Sequence, residues 1–331
     1  MKILVNKEVE IEKWQELLSN SSQSSPFQTP RYFNFFNEID SFTASVHAVE
    51  QNGNYQALCV VTLQKEKGIK SFFSRRAIVY GGPLIKDNDY SSLVALLSSI
   101  YEYYKKKAIY IEIRNYFDYS MFLNSFISKK WIYEQYLNFK LELNVNCKDD
   151  ILFFFKYNRR REIKISLTEG AEYGLCEKEE DVVGIYRILK DLYNQKVKLP
   201  LPTLNYFLEL YRRSLIKVFY VKHNNLIIGG SFCPFMQNKA IYTYYYCGLR
   251  EYHKKIFPTH LAVLAAMEFA IDNSIPMIDF MGAGKPGIDY GVRKYKSEFG
   301  GELVDYGRFI KVLNPVLYQL GKVGIKVLSK I

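Results

Sequence analysis

The first candidate for a chemically active side chain is Lys296. It lies between Tyr295 and Phe299, just before the paired glycines Gly300 and Gly301, in the segment YGVRKYKSEFGGE. A lysine that aromatic rings shield from water can present its positive charge to a developing oxyanion. The alternative is a surface lysine whose stem covers apolar neighbours. Both interpretations stay open, with Tyr295 and Phe299 as candidate walls of a substrate site.

A second candidate, Asp279, ends the apolar strand pattern PMIDFMG and precedes a glycine-rich turn. Burying a carboxylate is costly unless it is hydrogen-bonded or paired, so Asp279 either takes up a proton or caps the turn. Gly282 and Gly284 would let the backbone pass close to a substrate, or simply form the turn. Asp279 and Lys296 are therefore the candidate catalytic residues, and the two glycines are candidate substrate contacts.

Basic residues form two further candidate sites. The segment KYNRRREIK contains Arg159, Arg160 and Arg161 and is expected to begin a helix. Arginine matches phosphate geometry with two hydrogen bonds, so this cluster is a candidate for holding a diphosphate or an RNA backbone. A solvated helix face is the alternative. Arg250, in the basic stretch GLREYHKKIFPTHL, is another candidate substrate contact.

The composition is that of a folded protein with basic character. The 331 residues are 48% hydrophobic and carry a net charge of +11, from 45 Lys and Arg against 34 Asp and Glu. This length favours two domains. The charge favours nucleic acid, an anionic membrane surface or a phosphorylated substrate as partner, without choosing among them.

Several standard sites are missing from the sequence. It contains no GxGxxG after a strand, no GxxxxGK[ST], no HExxH and no paired CxxC, and its four histidines are not at ligand spacing. We therefore expect no tightly bound cofactor and no metal. The sequence shows no secretory segment and no apolar run of eighteen residues, which favours a cytoplasmic protein. The odd number of widely spaced cysteines predicts free thiols: Cys59, Cys147, Cys176, Cys233 and Cys247.

The elements that must position these residues occur twice along the chain. VHAVEQNGNYQAL and VFYVKHNNLIIGG both predict a hairpin, and each is followed by a strand, a helix and a second strand. The pattern WIYEQYLNFKLEL predicts one strand that closes the first half. We therefore predict duplicated domains over residues 1–145 and 146–331, the second carrying most of the site.

Six segments together resemble the FemABX family, whose members are built from two GNAT-like acyltransferase domains. They are PFQTPRYFNFF, YGGPL, NRRREIKISLTEGAEYGL, LIIGGS, IDFMGAGK and VRKYKSEFGGELVDY. The most specific are the last two, in which Asp279 and glycines follow a strand and Lys296 stands in aromatic-Lys-x-x-Phe-Gly. The resemblance spans essentially the whole chain. It implies an α/β fold of two tandem GNAT-like domains, each a mixed twisted sheet flanked by helices.

The resemblance also implies a function. Family members that act on peptidoglycan transfer an amino acid from aminoacyl-tRNA to an amine of a muramyl-peptide precursor, and relatives are general N-acyltransferases. We therefore expect acyl or aminoacyl transfer to an amine of a cell-envelope glycan or of its nucleotide- or lipid-linked precursor. One alternative is a strictly tRNA-dependent peptidoglycan aminoacyltransferase, and another is a non-enzymatic binder of anionic glycan or RNA. The resemblance places a functional lysine at Lys296.

The identity of the acyl donor stays open between acyl-CoA and aminoacyl-tRNA. GNAT enzymes hold the coenzyme A pyrophosphate with a basic, glycine-rich loop, whereas the corresponding stretch GLREYHKKIFPTHL is basic but lacks those glycines. Some FemABX members carry a coiled-coil arm, and this chain has no such heptad stretch. Contact with charged tRNA through an arm is therefore not expected.

The C-terminal segment, residues 314–331, predicts an amphipathic helix that begins at an Asn-Pro signal. Its apolar face contains Leu317, Leu320, Val327 and Ile331, and lysines recur every four residues at 322, 326 and 330. The helix either docks on its own domain or brings the protein to the anionic inner face of the membrane.

Overall fold

The computed structural model describes residues 1–66, 71–144 and 148–328, with the side chains of 71, 72, 149 and 323–328 left aside. Cys147 lies outside these ranges, and the other four cysteines are buried free thiols. Among the described residues, no helix is both long and apolar enough to cross a bilayer.

The first of two compact units comprises Met1–Tyr136 and Asp305–Ile331. Its sheet contains eight strands: β1 (Lys2–Val5), β2 (Phe42–Gln51), β3 (Asn54–Gln64), β4 (Arg76–Gly81), β5 (Leu84–Ile85), β6 (Tyr110–Asn115), β7 (Ile132–Glu134) and β16 (Arg308–Val312). Their order is β1-β2-β3-β4-β6-β16-β7, with β5 beside β3. The helices are α1 (Ile11–Asn20), α2 (Pro30–Glu38), α3 (Ser71–Ser74), α4 (Tyr90–Tyr104), α5 (Leu123–Ser128) and α11 (Pro315–Leu328).

The second unit, Leu137–Val304, has a second eight-stranded sheet. Its strands are β8 (Leu137–Glu142), β9 (Glu172–Leu175), β10 (Ile216–His223), β11 (Leu226–Met236), β12 (Ala240–Tyr242), β13 (Tyr245–Gly248), β14 (Met277–Gly282) and β15 (Glu302–Asp305). Their order is β15-β8-β14-β12-β11-β10-β9, with β13 beside β11. The helices are α6 (Tyr157–Thr168), α7 (Glu179–Leu192), α8 (Leu204–Arg212), α9 (Pro258–Asp272) and α10 (Gly291–Ser297).

The predicted duplication of hairpin, strand, helix and strand is present. In the first hairpin, Asn52 and Gly53 have φ of 50° and 80°, and in the second, Asn224 and Asn225 have φ of 50° and 62°. Two consecutive residues with positive φ are what a tight hairpin turn requires, and asparagine and glycine tolerate it best. Both sheets contain a parallel pair, β4 with β6 in the first and β12 with β14 in the second.

The structure divides the chain differently from the predicted bounds of 1–145 and 146–331. The pattern expected to be one strand forms two, and these lie in different sheets, because β7 pairs with β16 and β8 pairs with β14. In return, β16 near the C-terminus lies antiparallel to β6 of the first sheet. The two predicted halves of the chain thus exchange a strand, and the observed boundaries fall after Tyr136 and after Val304.

The C-terminal helix begins where the sequence predicts. The Asn314 side chain accepts a hydrogen bond from the Leu317 amide at 3.0 Å, which caps α11. Tyr318 packs edge-on against Tyr110 of the first sheet, with 5.3 Å between ring centroids. Leu320 is 57% exposed. The predicted face cannot be followed further, because the side chains of 326 and 327 are not described and residues 330 and 331 lie outside the described ranges.

The paired glycines next to the candidate lysine allow a close backbone approach. Gly301 has a φ of 87°, and a Cβ there would lie 2.5 Å from the carbonyl oxygen of Lys140. Gly287 has a similar φ of 73°, but a Cβ there would meet nothing within 4 Å. Both Gly→Ala substitutions impose left-handed strain of about 1–2 kcal/mol. Gly301→Ala adds the clash and should cost about 1–3 kcal/mol more than Gly287→Ala.

The difference can be measured by thermal unfolding followed with far-UV circular dichroism, with Gly287→Ala as the matched control. Equal melting temperatures for the two variants would show that the backbone at Lys140 yields without cost.

Candidate functional site

The candidate site in the second unit is built on an irregularity at the end of β14. The pairing of β14 with β8 shifts register between Asp279 and Gly282, which marks a bulge. Within the bulge, Met281 has a φ of 60°, a left-handed conformation that is unusual for a residue with a long side chain. The bulge turns the backbone carbonyls of three consecutive residues toward α10.

Lys296, on α10, caps this bulge. Its ammonium donates hydrogen bonds to the carbonyl oxygens of Phe280, Met281 and Gly282, at 2.5, 3.3 and 2.8 Å. An ammonium group has three protons, and these three contacts use all of them. The side chain is only 5% exposed, so Lys296 is not an ordinary surface lysine.

Burial changes the acid–base behaviour of Lys296. Loss of hydration lowers the pKa of its ammonium to about 8, and the negative charge of Asp279 partly opposes that change. The amine is thus still largely charged at neutral pH but loses its proton under mildly alkaline conditions. Perturbed pKa values of this kind are common among residues of functional sites.

Asp279 lies in a buried polar cluster with Asn138, Lys140 and Thr243. Its Oδ1 accepts hydrogen bonds from Asn138 Nδ2 at 2.9 Å and from the Met281 amide at 2.7 Å. Its Oδ2 lies 3.7 Å from the Lys140 ammonium and has no hydrogen-bond donor among the described residues. Asp279 therefore orders the bulge through Oδ1, while its Oδ2 has no hydrogen bond among the described residues.

The same cluster contains residues that the sequence analysis missed. Thr243 lies between β12 and β13, and its amide donates to the Asp279 carbonyl at 3.0 Å. In the described part of the chain, Thr243 Oγ1 and Asn138 Oδ1 are buried without a hydrogen-bond partner. Buried polar atoms are rarely left unsatisfied, which singles out this cluster as a candidate part of the site.

The two aromatic residues expected to wall the site are placed differently from each other. Phe299 is fully buried in the core of the unit, where its ring packs edge-on against Phe155 at 5.2 Å. Tyr295 is half-buried and stacked on Tyr246 at 5.7 Å, and its hydroxyl donates to the carbonyl oxygen of Thr259 at 3.1 Å. Tyr295 is thus the one of the pair with access to solvent.

The three arginines of the basic cluster have separate environments. Arg159, expected to hold phosphate, is only 3% exposed and pairs with Glu298 at 2.6 Å and with Glu162 at 3.4 Å. A phosphate there would have to displace two carboxylates, so its expected role is corrected to that of an internal ion pair. Arg160 is half-buried and Arg161 is exposed, so these two remain candidates for phosphate.

The Arg159 guanidinium also organises the aromatic residues of α10. It lies 4.6 Å from the ring centroid of Tyr295 and 4.7 Å from that of Phe299, within the range of cation–π attraction. It also bonds to the ring of His260. Burial and the arginine charge lower the pKa of His260 to about 3, so this histidine is neutral and accepts that hydrogen bond.

Of the remaining predicted residues, Gly282 and Gly284 lie at the end of β14 and in the loop that follows it, and Arg250 lies elsewhere. Gly282 is exposed at the strand end, and Gly284 is buried with a φ of 80°, where a Cβ would lie 2.9 Å from the Tyr290 ring. Arg250 is exposed after β13. Arg293, which the sequence analysis missed, holds this loop because its guanidinium donates to the carbonyl oxygens of Ala283 and Ile288, both at 3.0 Å.

Residues 208–324 match the sequence model of the FemAB family. The resemblance to FemABX proteins is confirmed. The match covers the Asp279 turn, α10 with Lys296, and the paired glycines. None of the curated proteins matches this sequence.

Solved structures of FemAB-like and GNAT-type proteins share the fold. FemX aligns with a TM-score of 0.74 at 15% identity, over 97% of this chain and 99% of its own. A tandem GNAT protein from the clavulanic acid biosynthesis pathway aligns at 0.61 with 11% identity, over 95% and 99%. L-PGS from Bacillus licheniformis aligns at 0.56 with 10% identity, over 95% and 96%. The predicted fold of two tandem GNAT-like domains is confirmed, and with the family match it supports a transferase.

Proposed function

We propose that this FemAB-like protein transfers an acyl or aminoacyl group to an amine of a cell-envelope glycan, or of its nucleotide- or lipid-linked precursor. The observation that carries the proposal is that the FemAB match spans both Asp279 and Lys296, which contact the same bulge at the end of β14. The shared fold of FemX and of L-PGS, together with the FemAB match, is consistent with aminoacyl transfer in the envelope.

In the proposed reaction, Lys296 stabilises the oxyanion and Asp279 accepts a proton. The acceptor amine attacks the donor carbonyl carbon, a C–N bond forms, and the bond from that carbon to the donor oxygen or sulfur breaks. The Lys296 ammonium exchanges its longest contact, to Met281 at 3.3 Å, for the developing oxyanion. Asp279 Oδ2 accepts the proton that the amine loses, and the departing group takes up a proton from solvent. Tyr295 borders the substrate, and Arg160 and Arg161 attract its phosphates.

The start of α9 bears on the choice of donor. The Phe257 amide donates to Ser166 Oγ at 2.9 Å, the His260 amide donates to the Phe257 carbonyl, and Pro258 has no amide proton. The Thr259 amide lies against Gly248, where a Cβ would be 3.0 Å away. Few amides are therefore available at this helix start for a pyrophosphate. We favour an aminoacyl ester, such as aminoacyl-tRNA, over acyl-CoA as donor.

The experiment is mass spectrometry of nucleotide-linked and lipid-linked envelope precursors, and of membrane lipids, from cells with and without the gene. We expect one precursor to lose a fixed mass in the deletion strain and to regain it on complementation. The size of that mass identifies the transferred group, and the molecule that carries it identifies the acceptor. Identical pools in cells that demonstrably produce the protein would contradict the proposal and favour a non-enzymatic binding protein.

A further inference from the structure

A cavity in the first unit has no role in the proposed reaction. Its volume is about 340 Å³, within the range of small-molecule sites. It is open to solvent and lies between α4, the turn that joins α5 to β7, and β16. We call it the lysine cavity, and its lining consists of Leu97, Ser98, Tyr101, Glu102, Ser128, Lys129, Lys130, Trp131 and Lys311.

Positive charge dominates this lining. Three lysines, Lys129, Lys130 and Lys311, face a single carboxylate, that of Glu102. Glu102 forms an ion pair with Lys105, which lies outside the lining, so its charge is already neutralised. The cavity therefore has an excess of cationic groups, and a bound anion would balance them.

The Lys311 ammonium uses two of its three protons in hydrogen bonds, which leaves one for a ligand. Its ammonium donates to the carbonyl oxygens of Lys129 and Lys130 at 2.6 and 3.4 Å, and it lies 5.0 Å from the ring centroid of Tyr101. Among the described residues, no carboxylate is within ion-pair distance of it. Partial burial and the nearby Lys130 lower its pKa.

Trp131 adds an unused donor. Its side chain is 3% exposed, and its indole N–H has no hydrogen-bond partner among the described residues. A buried N–H without a partner costs about 1–3 kcal/mol, and the side chain that carries it lines the cavity. The indole, the Tyr101 ring and Leu97 also give the cavity apolar walls.

We propose that the lysine cavity binds a phosphate group carried on an apolar or aromatic body. Lysines bind phosphate as point charges, and the apolar walls would contact the rest of the molecule. The phosphate could belong to a soluble metabolite or to a lipid headgroup, since both present the same chemistry. The proposal does not rest on the transferase reaction.

The chain offers a direct reporter, because its only tryptophans are Trp14 and Trp131. In ¹⁵N-labelled protein, two indole N–H resonances are expected, and the spectrum of Trp131→Phe assigns them. Titration with phenyl phosphate should move the Trp131 resonance saturably and leave that of Trp14 in place. Phenyl glucoside, which has the same ring without charge, should have no effect.

Two variants test the cationic groups. Lys311→Met keeps the apolar stem, and Lys130→Asn suits the left-handed backbone at that position, where φ is 59°. Each should weaken phenyl phosphate binding at least fivefold. Lys106→Met, an exposed lysine outside the lining, is the matched control and should bind as the unaltered protein does. An unmoved Trp131 resonance, an equal response to phenyl glucoside, or undiminished binding by both variants would overturn the proposal.

The source of the phosphate is tested by competition. If phosphatidylglycerol vesicles displace phenyl phosphate and phosphatidylcholine vesicles do not, the ligand is a lipid headgroup. If phenyl phosphate binds and neither vesicle competes, the ligand is a soluble phosphate ester.

Discussion

Replacing Lys296 with methionine is expected to lower the transfer rate at least about 100-fold, the loss typical when an oxyanion-stabilising donor is removed. The substitution should also destabilise the second unit by about 1–3 kcal/mol, because three buried carbonyls lose their donor. Lys294→Met, on an exposed position of the same helix, is the matched control and should change neither property. Activity would be measured as restoration of the precursor mass in the deletion strain.

The pH dependence separates a catalytic from a structural role for Lys296. The folded pKa is about 8, below the usual 10.5, so between these values the unfolded chain binds more protons. Stability from this group therefore rises as pH increases from about 8 to 10.5. Activity that requires the ammonium should instead fall as pH rises above 8. A folded Lys296→Met protein with full activity, or an activity that rises in parallel with stability, would remove the catalytic role.

The local patterns that the sequence predicts correctly depend on near neighbours. The hairpin at Asn52 and Gly53 follows from two residues that tolerate positive φ between alternating apolar runs, and no distant contact is needed to form it. The helix start at Asn314 is similar, since its capping partner is the amide of Leu317. The order of hairpin, strand, helix and strand is therefore visible in both halves.

The strand exchange between the sheets was not predictable in the same way. The segment 131–143 has one continuous strand pattern, yet β7 joins the first sheet and β8 joins the second. Apolar alternation specifies which face of a strand is buried but not which sheet supplies the partner. The partners β14 and β16 lie far along the chain, so the boundary after Tyr136 becomes visible only in the fold.

The candidate site shows the same limit. The aromatic flanks of Lys296 indicated a shielded lysine, but its acceptors depend on the left-handed Met281, for which the sequence gives no signal. Arg159 and Arg161 lie two positions apart in a basic run. That spacing points them to different faces of the helix, and of the two only Arg159 contacts Glu298. Asn138 joins Asp279 across 141 residues. Long-range pairing of polar groups is what the sequence could not show.

Glu112→Gln is expected to produce the largest loss of stability in the first unit. The Glu112 carboxylate, on β6, is buried between Arg114 at 3.0 Å and Arg308 of the exchanged strand β16 at 2.5 Å. Removing one member of a buried ion group leaves the others uncompensated and typically costs about 3–5 kcal/mol. Both tryptophans lie in this unit, so urea unfolding followed by tryptophan fluorescence reports on it directly. Glu102→Gln, in the exposed pair with Lys105, should change the midpoint little.

The contribution of the Glu112 carboxylate to stability should depend on pH in a characteristic way. Burial alone would raise the Glu112 pKa, but the two arginines lower it to about 2, below its usual 4.5. Its contribution is therefore fully present above pH 4.5 and is lost as pH falls from 4.5 to 2, because the unfolded chain takes up the proton first. The Glu112→Gln protein should lack this part of the acid destabilisation. An acid profile identical to that of the unaltered protein would mean that the ion pairs do not hold β16 to β6, and that backbone pairing and apolar packing alone fix the exchanged strand.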